Sequence, residues 1–165
     1  MASTALLPSP LGPLLLAAEG DELTGLWLEG QKFYAAGLPS DAAEDPAHPV
    51  LLAAGTWLER YFSGEMPDPS ALPLAPRGTD YQRLIWSLLR EIPYGETRTY
   101  GALAAEAEKR LGRRTSPRAV GSAVGRNPIS ILIPCHRVLG AGGSLTGYAG
   151  GVERKEWLLR HEGAI

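Results

Sequence analysis

Four prolines within twelve residues, Pro67, Pro69, Pro73 and Pro76, constrain this chain more than any other feature. Each fixes φ and removes a backbone donor, so neither a helix interior nor a central strand crosses the stretch. One compact body with two lobes is expected, with the boundary between them here, giving residues 1–77 and 78–165. The two parts also differ in charge. Residues 1–79 carry three basic side chains against ten acidic ones, a net −7, whereas residues 80–165 carry thirteen against eight, a net +5. That split points to a polyanionic partner for the second part alone, with a chance division of solvated charge as the plain alternative.

Before the prolines the pattern is strands and then a helix. Apolar runs at residues 14–18 and 23–28 flank Glu19-Gly20-Asp21-Glu22, an interval of hairpin length rich in turn formers, which predicts two antiparallel strands. Residues 41–48 read as a loop. The segment PVLLAAGTWLERYFSG then spaces Val50, Leu51, Trp57, Leu58 and Tyr61 along one helical face, with Gly64 as the stop. The opening MASTALLPSPLGPLLLAA is apolar but has no basic leader and is broken by Pro8, Pro10 and Pro13, so neither a signal peptide nor a membrane span is expected.

After the prolines the pattern is mostly helical. In DYQRLIWSLLREI, residues Leu84, Ile85, Leu88, Leu89 and Ile92 keep a 3.6-residue period, with Asp80 near the start and Pro93 at the end. Thr99 is placed to cap a second helix, TYGALAAEAEKR, and Ser116-Pro117 to open a third, PRAVGSAVG. The last two, joined by RLGRRT and flanked by Arg110, Arg113, Arg114, Arg118 and Arg126, read as a helix-turn-helix. A basic helical hairpin without a ligand is the alternative. A final amphipathic helix, VERKEWLLRHEG, closes the chain.

The single cysteine, Cys135, rules out an internal disulfide and a cysteine-rich metal site and fits a reducing, cytoplasmic setting. A lone cysteine is more often an inert buried residue than a nucleophile. Here it stands between Pro134 and His136-Arg137, out of any regular helix, with a potential base and a cation beside it. Glu162 is able to orient the imidazole if the last helix packs back on this loop. Neighbouring side chains seldom face each other, so a water between His136 and Cys135 is part of the expectation.

The segment NPISILIPCHRV, with GYAGG and KEWLLRHEG after it and GETRTYG and RAVG before it, closely resembles the O6-alkylguanine-DNA alkyltransferases, or methylated-DNA–protein-cysteine methyltransferases. The likeness runs through residues 80–165 and is weak over residues 1–79. It implies an α+β protein: a small N-terminal α/β lobe of ribonuclease H-like type that buttresses a mostly helical, winged-helix-like C-terminal lobe. It implies direct-reversal repair of double-stranded DNA containing O6-alkylguanine, with O4-alkylthymine as an open alternative. The nucleotide is flipped out and its alkyl group moves irreversibly to Cys135, without cofactor, catalytic metal or membrane. The protein is expected to be a monomer, with cooperative binding to DNA left open.

Position by position, the resemblance makes Cys135 the alkyl acceptor, His136 the residue that deprotonates it through water, and Glu162 the partner of that histidine. Asn127 ties the third helix to the active-site loop. Tyr100 contacts the flipped nucleotide and its phosphate, and Arg118 enters the base stack in its place. Tyr148 lines the pocket, and the backbones of Cys135, Val138 and Ala149 bind guanine edges. Arg137 is grouped with the DNA-contacting residues. Small residues, Gly121 and Ser122 with Ala123 and Gly125, let the third helix lie close to the sugar-phosphate backbone, in the minor groove.

The chain departs from the family pattern in places. Ala149 replaces a serine of some relatives, and the interval 105–116 is longer than in some, carrying Arg113 and Arg114. His48 is the only histidine of the first part, so the structural zinc of some relatives is not expected, and His161 reads as an ordinary residue at a helix end. Two rivals compete. A non-enzymatic helix-turn-helix binder or damage sensor has no need of Cys135, and a cysteine hydrolase needs an oxyanion hole that nothing specifies and leaves Arg118 unexplained.

Overall fold

A computed structural model describes all residues, Met1–Ile165, and divides them into two compact units. The protein is α+β. The first unit comprises Met1–Arg77 together with Pro128–Ser130. Its sheet has strands β1 (Ala2–Leu7), β2 (Leu14–Glu19), β3 (Glu22–Leu28) and β4 (Ala43–Glu44) in the order β3-β2-β1-β4. The hairpin β2–β3 turns at Gly20, as the apolar runs predict. Two strands lie where the sequence showed none. β1 pairs antiparallel with β2 along its whole length, but its inward residues are Ala2 and Thr4 while Leu6 is exposed, so no apolar alternation marks it. β4, inside the expected loop, is two residues paired parallel to β1.

Helix α1 (Pro49–Phe62) buries Val50, Leu51, Trp57, Leu58 and Tyr61, the face that the periodicity defined. Its N-cap is His48, whose Nδ1 accepts from the Val50 N–H. Residues 128–130, expected with the C-terminal part, count with this unit for a backbone reason. Leu26 donates its N–H to the Pro128 carbonyl at 2.9 Å and accepts from Ser130 at 3.0 Å, so the segment continues the edge of β3.

The second unit comprises Gly78–Asn127 and Ile131–Ile165. Helix α2 (Asp80–Leu89) has its cap one residue earlier than Asp80 suggested. Thr79 caps it through a reciprocal capping box with Gln82, and Asp80 occupies the first turn. Its buried face includes Trp86, whose indole donates to the Ala123 carbonyl at 2.8 Å and ties α2 to the third helix of this unit. Helix α3 (Tyr100–Leu111) is capped by Thr99, and α4 (Pro117–Gly125) by Ser116 with Pro117 at its first position. α3 and α4 form the helix-turn-helix pair. Short strands β5 (Arg98–Thr99) and β6 (Val138–Leu139) pair in parallel, and α5 (Val152–His161) ends the fold. No helix is long and apolar enough to cross a membrane.

Candidate active site in the helical unit

Cys135 opens a single 3-10 turn, Cys135–Arg137, directly after Pro134. The chain reaches it through a buried run, Ile131 to Ile133, in which Ile131 has φ +70°. A β-branched residue avoids that region, at a cost of about 1–3 kcal/mol, and is held there only when its surroundings fix it. Burial of the Ile131 side chain and the anchoring of both ends of the run meet that condition. At the end of α4, Asn127 is buried and its Nδ2 donates to the Ile133 carbonyl at 2.7 Å, while its side chain also hydrogen-bonds Cys135. Helix α4 is thus tied to the loop that presents the sulfur.

The cysteine is 4% exposed, and burial pushes its thiol up to about 11 despite the opposing hydrogen bond from Asn127 and charge of Lys155. The sulfur therefore rests as a thiol rather than a thiolate. Next to it, His136 is fully buried, and its Nε2 lies 2.7 Å from Oε2 of Glu162, the residue directly after α5. Glu162 also receives Arg137, Nε to Oε1 at 2.7 Å and Nη2 to Oε2 at 3.1 Å. Arg137 is fixed in turn by the Ile92 carbonyl at 2.7 Å and by the Tyr94 ring beneath its guanidinium. Burial alone would raise the Glu162 carboxyl, but the hydrogen bonds and charges of His136 and Arg137 hold it down to about 2.

An ionised Glu162 only accepts, so the His136 proton sits on Nε2 and Nδ1 keeps its lone pair. Nδ1 is buried and has no hydrogen-bond partner among the protein groups. Burial lowers the imidazole pKa more than Glu162 raises it, which keeps the ring neutral and basic. The arrangement is a thiol, a neutral base and a fixed carboxylate in one buried cluster, a set suited to making a sulfur nucleophile only while a proton is leaving it.

Sequence patterns did not mark Lys155. Its side chain is completely buried, its Nζ donates to the Val138 and Thr146 carbonyls, the latter at 2.8 Å, and burial lowers its pKa to about 8. A signal was present: Lys155, Leu158, Leu159 and Glu162 recur at helical spacing, which puts two charged residues on the buried stripe of α5.

Beside this cluster, a cavity of about 710 Å³ is lined by Thr99, Tyr100, Pro117, Arg118, Gly121 and Gly147, among others. That volume lies within the range of small-ligand sites. Tyr100 belongs to both places. It walls the cavity, and its hydroxyl, pushed up to about 12 by burial and by charge on Cys135, donates to the Thr146 carbonyl at 3.1 Å. Gly147 has φ +80°, and a Cβ there would meet the Tyr100 hydroxyl at 2.5 Å, so only glycine fits. Cys135 and Tyr148 are not among the cavity's lining residues. Val138 is buried on β6, Tyr148 and Ala149 are half-buried in the loop before α5, and Ser122 is exposed on α4. His161 stacks on Trp157, with ring centroids 4.8 Å apart.

A helix-turn-helix unit with a buried Cys-His-Glu cluster beside its paired helices defines a class of DNA-handling protein with a sulfur nucleophile. Two family models match the chain: the 6-O-methylguanine DNA methyltransferase DNA-binding domain over residues 80–164 and the ribonuclease-like domain of the same enzymes over residues 3–76. The methylated-DNA–protein-cysteine methyltransferase of Methanosarcina acetivorans is 45% identical over 161 residues, 97% of either chain. The crystal structure of the Mycobacterium tuberculosis O6-methylguanine methyltransferase superposes with a TM-score of 0.82 at 42% identity, covering 99% of this chain and 94% of that one. A second structure of that protein, in complex with DNA, gives 0.81 at the same identity, covering 99% and 92%. The chain belongs to the 6-O-methylguanine DNA methyltransferase family.

Proposed function

We propose that this protein repairs O6-alkylguanine in duplex DNA by taking the alkyl group onto Cys135, once per molecule. The observation that carries the reading is the buried chain Cys135, His136, Glu162 in the same unit as the helix-turn-helix, in a member of this family. Every group the mechanism needs, from Tyr100 to Glu162, lies in that unit, which supports a single chain as the acting species.

In a stacked pair O6 and its alkyl group lie in the major groove, whereas in-line displacement requires sulfur directly behind the alkyl carbon. Extrusion of the nucleotide resolves the conflict at a cost of a few kcal/mol, less for a damaged base that pairs badly. Arg118, exposed near the N-terminus of α4 and lining the cavity, is placed to fill the vacated stack. Tyr100, on the adjoining wall, is placed to meet the nucleotide. As sulfur attacks, its proton passes to His136 Nδ1, directly or through one water. The S–C bond forms, the C–O6 bond breaks with its electron pair going to guanine, the guanine anion takes a proton on N1 from water, and His136 later returns its proton to solvent. Glu162, held by Arg137, stabilises the imidazolium that forms, and the Lys155 ammonium and Asn127 amide stabilise negative charge on sulfur. The product is a thioether, which no neighbouring base hydrolyses, so one protein repairs one lesion.

The test is stoichiometry with a split between substrates. Lesions removed from duplex DNA equal protein molecules added, and Arg118→Ala slows repair of the duplex far more than transfer from the free base O6-benzylguanine. Many lesions removed per protein, or equal losses on the two substrates, contradict the reading.

A further inference from the structure

Five of the eleven arginines of the helical unit have an acidic partner: Arg83 with Asp80, Arg98 with Glu96, Arg110 with Glu91 and Glu106, Arg137 with Glu162, Arg160 with Glu156. Arg113, Arg114 and Arg118 have none, are all exposed, and stand within six residues of one another. The first two lie on the turn between α3 and α4, the interval whose extra length the proposed repair chemistry does not use.

That turn is fixed on both sides. Gly112 ends α3 in the left-handed region at φ +68° and reverses the chain. Thr115 then anchors it twice: its N–H donates to Glu108 Oε1 of α3 at 3.1 Å, and its hydroxyl lies 2.6 Å from the Tyr81 hydroxyl of α2. Ser116 caps α4 one residue later. A pair of unneutralised guanidiniums is therefore carried on an anchored turn and is not free to collapse onto the acids nearby. Glu106 and Glu108 are already engaged, by Arg110 and by the Thr115 N–H. Solvated guanidiniums with no internal partner suit phosphate oxygens, which they bind bidentately, and the anchored backbone leaves only the side chains to be ordered.

We propose that Arg113 and Arg114 form a second DNA-backbone contact, outside the lesion site, that grips phosphates of the duplex independently of sequence and damage. The proposal rests on the repair reading for the identity of the polyanion. Its role is to hold the duplex while α4 and Arg118 work at the lesion, adding affinity for any duplex but no discrimination between damaged and intact DNA.

The experiment measures duplex binding against salt for the wild type, Arg113→Ala/Arg114→Ala and Arg113→Lys/Arg114→Lys, with intact and O6-methylguanine-containing duplexes. Each phosphate contact contributes about 0.9 to the slope of log K against log salt concentration, so the alanine pair lowers the slope by about 2 and weakens binding at low salt by roughly tenfold or more. The loss is equal on the two duplexes. The lysine pair retains the slope, and transfer from free O6-benzylguanine is unchanged in all three proteins. An unchanged slope in a folded alanine pair, or a loss confined to damaged DNA, overturns the proposal. A wild type that binds duplex with the expected slope but never accepts an alkyl group refutes the repair reading instead. Both side chains are exposed, so thermal unfolding of the variants stays near the wild type and separates these outcomes from misfolding.

Discussion

At Cys135 the decisive effect is burial. A sulfur pushed up to about 11 is almost wholly protonated at neutral pH, so it does not react with stray electrophiles and becomes a nucleophile only when His136 accepts its proton. A resting thiol with a neighbouring neutral base reconciles a chain used once with the need to survive until a lesion arrives. The thiolate absorbance of the native protein is accordingly predicted to rise with a midpoint near 11, whereas the unfolded chain titrates near the ordinary thiol value of about 8.5. A native plateau already reached by pH 9 contradicts this picture. The reactive residues were legible because Cys135 and His136 are adjacent and carry a short family motif. Lys155 was not, because a lysine on a surface-patterned helix normally reads as solvated, and only tertiary packing reveals that its ammonium is bonded to the Val138 and Thr146 carbonyls.

At the level of elements, α5 does most to assemble the site. It brings Lys155 to the Val138 and Thr146 carbonyls and Glu162, directly after it, to His136 and Arg137, the two seven residues apart and so on one face. Glu162→Gln leaves the shape but removes the charge that holds Arg137 and His136, and loss of one partner in a buried pair costs about 3–5 kcal/mol. The sign with pH comes from the lowered carboxyl. Its contribution is complete above the usual carboxylate range and disappears as pH falls through about 2. The stability difference between wild type and Glu162→Gln, measured by denaturant unfolding, is therefore largest near neutrality and shrinks toward zero in acid. A difference independent of pH excludes a charge role for Glu162.

The helices themselves were readable from capping and period: Thr99, Ser116-Pro117 and the α1 face mark real elements. Strand β1 was not, because alanine and threonine line its inner face and the strand is recognised only by its pairing with β2. The anchored turn at 112–116 was visible only as extra length, since Tyr81 and Thr115 meet across 34 residues of chain.

Across the whole molecule, the charge division and the chemistry agree. The unit that holds the nucleophile is also the one rich in arginine, and it is the part that the family's DNA-binding domain matches, over residues 80–164. The acidic first unit supplies none of the groups the chemistry uses, which explains why a reading from motifs alone found its substance after residue 80. The final position of the alkyl group identifies the acceptor. Peptide mapping by mass spectrometry after mixing with an excess of duplex DNA bearing O6-methylguanine is expected to find one methyl group on the peptide containing Cys135, and none in Cys135→Ala. A methyl group on any other residue, or an unmodified Cys135 beside fully repaired DNA, would contradict it.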